Sequence, residues 1–154
     1  MTASNRYVEP KKSTNFFNES VGRLTRLGIS VYGSRVLYVR GRTSGEWRSN
    51  PVNPLTYEGT RYLVAPRGNT QWVRNLRAAG GAGELRIGRR AEPFRATELA
   101  DGDKPPVLRA YLKRWKWEVG TFFDGVDAKA SDETLRGIAP GYPVFRIEPT
   151  TVTR

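Results

Sequence analysis

The chain contains no cysteine and no histidine. Without cysteine it forms neither disulfides nor thiolate metal sites. Without histidine it lacks the commonest metal ligand and the usual general base near neutral pH, which excludes a zinc site or a Ser-His-Asp hydrolase. If the protein is an enzyme, we therefore expect a bound cofactor to supply the chemistry.

Long uncharged apolar runs are also missing. No window approaches the roughly 20 apolar residues that a membrane-spanning helix needs, and the first five residues show no apolar signal core. These absences predict a cytoplasmic protein. A length of 154 residues with 38% hydrophobic content suits one folded domain. We expect a flexible arm over residues 1–12 and a single domain with an N-terminal helix over residues 13–154.

Acidic residues are scarce in the middle of the chain. Residues 35–90 contain eleven arginines, no lysine and only three acidic side chains, within a chain of net charge +11. Arginine is suited to forked, bidentate recognition of phosphate or carboxylate. The alternative is a solvated basic surface. Because the arginines cluster at turns and strand ends instead of along one helix, the pattern favours a small anionic ligand over nucleic acid.

The hydrophobic pattern is mostly that of short strands. We predict strands over residues 36–39, 47–56, 62–65, 85–87, 93–99 and 144–147, and helices over about 14–28, 70–79 and from Asp103 onward. The connecting turns are too short for parallel crossovers, so the strands should be antiparallel. Pro93 predicts an edge or a bulge in its strand. The expected fold is α+β, mainly β with helices, with about six strands in a closed or split antiparallel barrel.

The first predicted helix admits two interpretations. Ser13 is a candidate cap, and the apolar residues recur near helical spacing, which is typical of a helix docked on its domain. The alternative is peripheral contact with an anionic membrane. That alternative, a membrane-associated protein, depends on Lys11, Lys12, Arg23 and Arg26.

Two basic turns are the candidate binding elements. In the first, Gly45 can take a positive φ that directs backbone N–H groups at an anion, and Ser44 adds a hydroxyl. Arg42 and Arg48 flank this turn closely enough to reach one phosphate. The alternative is an ordinary hairpin with surface arginines, because short Gly/Ser motifs occur often by chance.

The second turn, Arg67-Gly68-Asn69, immediately precedes the predicted helix over 70–79. A helix N-terminus presents unpaired N–H groups and partial positive charge, both favourable to an anion. Asn75 lies one turn into the helix. Its alternative role is a buried amide that satisfies loop backbone. We expect Trp72 to pack under the sheet.

These two motifs resemble a known family. The first reads Gly41-Arg42-Thr43-Ser44-Gly45, followed by Arg48 and Pro51-Val52. The second reads Ala65-Pro66-Arg67-Gly68-Asn69, followed by Trp72 to Ala78. Together, over about residues 15–149, they resemble the deazaflavin-dependent nitroreductases of actinobacteria, also called flavin/deazaflavin oxidoreductases. The resemblance implies a split, FMN-binding-like β-barrel, binding of coenzyme F-420, and a possible homodimer.

The resemblance also implies roles for individual residues. The cofactor tail would lie on Arg42, Ser44, Gly45 and Arg48, the ring against Pro51 and Val52, and the rest of the bed would be Ala65, Pro66, Arg67, Gly68 and Asn75. Thr43 replaces a common lysine, for which Arg67 could compensate. The implied activity is an F-420-dependent reductase that transfers hydride to an activated alkene, quinone or nitro compound. The alternatives are FMN as the cofactor, or a non-catalytic protein that binds F-420, flavin or a fatty acyl ligand.

Overall fold

The computed structural model describes residues 6–8 and 35–150. The predicted helix over 14–28 and its basic residues lie outside this part of the chain. The described residues form strands β1 (Arg35–Arg40), β2 (Trp47–Val52), β3 (Leu55–Tyr57), β4 (Thr60–Val64), β5 (Ala82–Ile87), β6 (Arg90–Glu98) and β7 (Val144–Pro149), with helices α1 (Gln71–Ala78), α2 (Pro105–Val119) and α3 (Asp132–Ile138). The count is seven strands instead of about six, because the predicted strand over 47–56 is two strands.

All seven strands belong to one antiparallel sheet, in the order β2-β1-β5-β6-β7-β4-β3. Strands β2 and β3 form its opposite edges, yet only Asn53 and Pro54 connect them. A link this short spans roughly 10 Å, so the sheet must curl until its two edges come close together. This confirms the predicted split barrel.

Two prolines affect the sheet in different ways. Pro54 has no N–H to donate, which is consistent with the break between β2 and β3. Pro93 lies in β6, which has β5 on one side and β7 on the other, so the predicted edge position is wrong. The β6–β7 ladder begins at Phe94, paired with Pro149, and the missing N–H of Pro93 therefore falls outside that ladder.

The buried side chains form two clusters. One packs α1 against the sheet and includes Leu37, Trp72 and Phe145. The other surrounds α2 and α3, and its residues from α2 include Leu108, Tyr111, Leu112, Trp115 and Val119. Successive residues of one strand face opposite sides, so Phe145 belongs to the first cluster while its neighbour Val144 belongs to the second. Within residues 6–8 and 35–150, no helix has both the length and the apolar character to cross a membrane.

Candidate functional site

A solvent-open groove of about 540 Å³ lies between the β1–β2 turn and α1. We call it the arginine groove, because Arg42 and Arg48 line it together with Ser44, Gln71 and Asn75. None of its lining residues is acidic. Among the described residues, no carboxylate forms an ion pair with either arginine. Two guanidinium charges therefore line the groove without being neutralised there.

Arg42 is held by amide oxygens of α1. Its Nη1 donates to Asn75 Oδ1 over 2.7 Å, its backbone N donates to the same oxygen over 3.1 Å, and its Nη2 donates to Gln71 Oε1 over 2.9 Å. Asn75 is only 5% exposed. The buried amide thus accepts a hydrogen bond from the loop backbone, which is the alternative role expected of Asn75 from the sequence. It also lines the arginine groove. It orients the guanidinium without cancelling its charge.

The β1–β2 turn closes tightly around Gly41. Gly45 has φ of 74°, as predicted, and its N–H donates to Gly41 O over 2.9 Å. A Cβ at Gly41 would lie 2.9 Å from Ser44 Oγ and 3.5 Å from Arg48 Nε. Ser44 Oγ accepts a hydrogen bond from Glu46 N, so the hydroxyl keeps its own hydrogen for another acceptor. The turn is a small cradle, which a side chain at Gly41 would fill.

A second opening, of about 440 Å³, adjoins the groove. Asn50 and Trp72 line both spaces. We call it the apolar cavity, since its walls include Pro51, Val52, Ala65 and Pro66.

The structure thus divides the predicted site residues into three groups: those that line the arginine groove, those that line the apolar cavity, and those that line neither. Arg42, Ser44, Arg48 and Asn75 line the groove, and Pro51, Val52, Ala65, Pro66 and Arg67 line the cavity. Gly45 and Gly68 line neither space.

Residues 6–8, which we call the N-terminal bridge, hold the loop between β4 and α1. Tyr7 pairs with Gly68, Val8 N donates to Arg67 O over 2.8 Å, and Asn69 N donates to Arg6 O over 2.8 Å. This part of the predicted flexible arm is thus held against the domain.

The Arg6 guanidinium extends this contact to the far wall of the cavity. It donates to Pro66 O over 2.6 Å and to Phe122 O over 2.8 Å, and it lies 4.3 Å from the centre of the Tyr142 ring. Pro66 and Phe122 both line the apolar cavity. One side chain therefore connects two of its walls.

Gly68 contacts the N-terminal bridge and lines neither the arginine groove nor the apolar cavity. Its φ is 85°, and a Cβ there would overlap the backbone oxygen of Arg6. A side chain at position 68 would therefore push residues 6–8 away from the loop.

The apolar cavity also contains polar groups. Thr70, which was not among the predicted site residues, is 4% exposed and lines the cavity, and its side chain makes no hydrogen bond that caps α1. Its Oγ1 is buried with no hydrogen-bond partner among the described residues. Arg67 also lines the cavity, and burial lowers the pKa of its guanidinium, a shift that Tyr7 opposes. A buried hydroxyl and a desolvated cation therefore stand among apolar walls.

Glu118 is the acidic residue of the cavity lining. Burial raises its pKa, while a hydrogen bond from Asn53 and the charge of Arg114 lower it by less. Glu118 was not among the predicted site residues. It follows Tyr111 by two helical turns and so shares that face of α2, but spacing alone does not reveal the burial that raises its pKa.

Several solved structures are similar to this chain. An F420-H2 dependent reductase is 20% identical, with 75% of this chain and 94% of that chain covered and a TM-score of 0.49. A domain-swapped dimer is 17% identical, with 89% and 100% covered and a TM-score of 0.55. The protein Atu2129 from Agrobacterium tumefaciens str. C58, of unknown function, is 15% identical, with 85% and 54% covered and a TM-score of 0.54. The last two support the curled-barrel fold.

The sequence itself matches one family profile. No curated protein matches the chain significantly. The profile of the F420H2-dependent quinone reductases, however, matches residues 10–121, which is most of the chain and includes both basic turns. This match confirms the resemblance drawn from those turns and the prediction of a reductase. The chain belongs to the F420H2-dependent quinone reductase family.

Proposed function

We propose that the protein binds reduced coenzyme F-420 and reduces a small electrophile, namely an activated alkene, a quinone or a nitro compound. The phosphate and glutamate tail would lie in the arginine groove, and the ring would lie in the apolar cavity. The observation that carries the proposal is the junction of these spaces at Asn50 and Trp72. A ligand with an anionic tail and a flat ring could occupy both.

The donor set of the groove fits such a tail. Arg42 and Arg48 bring forked N–H donors without competing carboxylates, and the Ser44 hydroxyl has a hydrogen to give. Ser44 Oγ and Arg48 Nε both lie beside Gly41, where a side chain would crowd them. These features fit phosphate or carboxylate oxygens, and they do not distinguish the tail of F-420 from the phosphate of FMN.

The cavity fits a ring with polar atoms on its edge. Its walls are largely apolar, while Thr70 Oγ1 lacks the partner that a buried hydroxyl normally has. A ring carbonyl would supply that partner. The volume of about 440 Å³ falls in the range usual for cofactor and ligand sites.

Once bound, the reduced deazaflavin would supply the hydride. The protein would orient the ring between Val52 and Trp72, while the surrounding apolar walls keep water from the reacting atoms. Arg42 and Arg48 would fix the tail and thereby the depth of the ring. We extend the proposal to a homodimer, which the domain-swapped relative supports.

Titration with F-420 and FMN in parallel tests the proposal. We expect F-420 to bind at low salt, with FMN binding more weakly, as measured by calorimetry. Arg48→Gln should weaken F-420 affinity about tenfold or more, because a charge-assisted hydrogen bond contributes about 1.5–3 kcal/mol. Arg89→Gln is the matched control, since it removes the same charge at an exposed turn.

Three outcomes would contradict the proposal. The wild-type protein could fail to bind F-420, FMN could bind more tightly, or the two arginine variants could lose affinity equally. The last result would mean that the positive charge attracts anions without a specific site. Binding of F-420 without reduction of any quinone, nitro compound or activated alkene would favour the non-catalytic alternative.

Thr70→Val should weaken cofactor binding without destabilising the protein. Valine has nearly the same shape, and Thr70 makes no side-chain capping bond that could be lost. Removing the unpartnered hydroxyl should leave the free energy of unfolding unchanged or raise it by up to about 1 kcal/mol. Affinity for F-420 should fall about fivefold or more, because the ring loses a donor. A destabilised variant with unchanged affinity would show that this hydroxyl has a structural partner instead.

A further inference from the structure

The reaction proposed above needs a proton as well as a hydride. A hydride brings two electrons and one hydrogen, so the electrophile is left with a basic oxygen or carbon that must be protonated. The chain has no histidine or cysteine to supply that proton. The donor must therefore be sought among the polar side chains of the apolar cavity, or in solvent.

We propose that Glu118 is the proton donor of the apolar cavity and that Asn53 positions its carboxyl. This inference rests on the proposed function. Two electrons and one hydrogen come from the reduced deazaflavin, whose remaining proton is released to solvent. The Glu118 O–H bond breaks as the basic atom of the electrophile is protonated, and the carboxylate recovers a proton from water at the cavity mouth.

The other polar residues of the lining are poor candidates. Arg67 stays protonated throughout the accessible pH range, and threonine hydroxyls are far weaker acids than a carboxyl. Tyr111 is almost completely buried, and burial raises its pKa further above that of ordinary tyrosine. Glu118 remains as the group that can both hold and release a proton under physiological conditions.

The position of Glu118 suits this role. It belongs to the last turn of α2, is half-buried and lines the apolar cavity. Asn53 comes from the short link between β2 and β3, and it lines the same cavity as Glu118 and Tyr111, close enough to lower the pKa of both. The carboxyl thus lies beside a short, constrained link of the barrel while it borders the space proposed for the substrate.

Burial leaves the carboxyl of Glu118 easier to protonate than that of an exposed glutamate. Burial, the largest influence, raises the pKa of Glu118, while Asn53 and Arg114 oppose the shift. Arg67 is the cation that lines the cavity from the β4–α1 loop, and Tyr111 faces Glu118 from its own helix without charge. A proton donor works best when its pKa lies near the working pH, and burial moves Glu118 in that direction.

The first test measures the acid itself, with no cofactor present. Carbon-13 NMR of the full-length protein, with Glu118→Gln assigning the resonance, should show a titration midpoint above the 4.5 of an ordinary glutamate. A midpoint at or below that value overturns the proposal. At pH 8, the free energy of unfolding of Glu118→Gln should be at least as high as that of the wild type. The raised pKa means that the ionised carboxylate disfavours the folded state, so stability is lost as pH rises through the folded pKa.

The second test measures the reaction with reduced F-420 and a soluble benzoquinone. Glu118→Gln should lower kcat about 100-fold, the lower end of the usual contribution of general acids, and should leave the Kd for F-420 within about twofold. In wild type, kcat should fall as pH rises through the NMR midpoint, whereas the variant should lack that step. Glu133→Gln, at an exposed acid of α3, is the matched control and should behave as wild type.

The outcomes separate the two proposals. Wild-type kcat and pH profile in Glu118→Gln would overturn the proton donor and leave the reductase intact. Failure of the wild type to bind F-420 would overturn the reductase function itself. Tight F-420 binding without turnover of any electrophile would overturn both.

Discussion

Gly68→Ala is expected to lower the free energy of unfolding by about 3 kcal/mol and to release the N-terminal bridge. About 1–2 kcal/mol comes from forcing a residue with a Cβ into φ of 85°. The remainder comes from the backbone oxygen of Arg6, which occupies the position of the new Cβ. Denaturant unfolding gives the free energy, and limited proteolysis before residue 35 reports the released bridge.

Gly59→Ala is the control for this variant. Gly59 has φ of 79° in the turn between β3 and β4, and a Cβ there would meet nothing within 4 Å. It should cost only the backbone strain of about 1–2 kcal/mol. Deleting residues 1–8 should remove the extra cost of Gly68→Ala, because the clashing oxygen is then gone. Equal costs for Gly68→Ala with and without the deletion would show that the bridge does not occupy this position.

Asn75→Leu is expected to lower F-420 affinity at least tenfold and the free energy of unfolding by about 2–3 kcal/mol. Leucine keeps the branched framework of asparagine but removes Oδ1, the acceptor for the backbone N and Nη1 of Arg42. The β1–β2 turn then keeps an unpaired N–H, and the guanidinium loses its orientation in the arginine groove. Calorimetric titration and denaturant unfolding measure the two effects.

Gln71→Leu is the control for Asn75→Leu, because it also removes an amide that contacts Arg42 but leaves the buried acceptor in place. Gln71 accepts from Arg42 Nη2, but it is exposed, so its removal should change stability by no more than about 0.5 kcal/mol and affinity by about threefold. Similar losses for both variants would mean that burial of Asn75 is unimportant. Unchanged F-420 affinity in Asn75→Leu would mean that Arg42 does not hold the tail.

The sequence predicted those features that depend on neighbouring residues. Gly45 takes the positive φ expected of it, and the helix predicted over 70–79 is found at Gln71–Ala78. The family match and the gathering of the two basic turns into adjoining spaces follow from motifs that can be read along the chain. These features could be predicted because the residues that determine them lie only a few positions apart in the sequence.

The remaining features depend on partners far apart in sequence. No local signal divides the segment over 47–56 between opposite edges of the sheet, because the division depends on where β1 and β4 find their partners. The same holds for Arg6, whose partner Phe122 is more than one hundred residues away. Glu118 was missed because its environment comes from burial and from Asn53, neither of which spacing alone reveals.

The sheet order has a consequence for the time at which the protein becomes functional during synthesis. Strand β7 lies between β6 and β4, and until it is inserted no strand hydrogen bonds join β2-β1-β5-β6 to β4-β3. The apolar cavity takes walls from both parts, through Val52 on β2 and Val64 on β4. Its walls cannot be fixed before residue 149 has left the ribosome, so a nascent chain should bind no cofactor until β7 has been made and inserted.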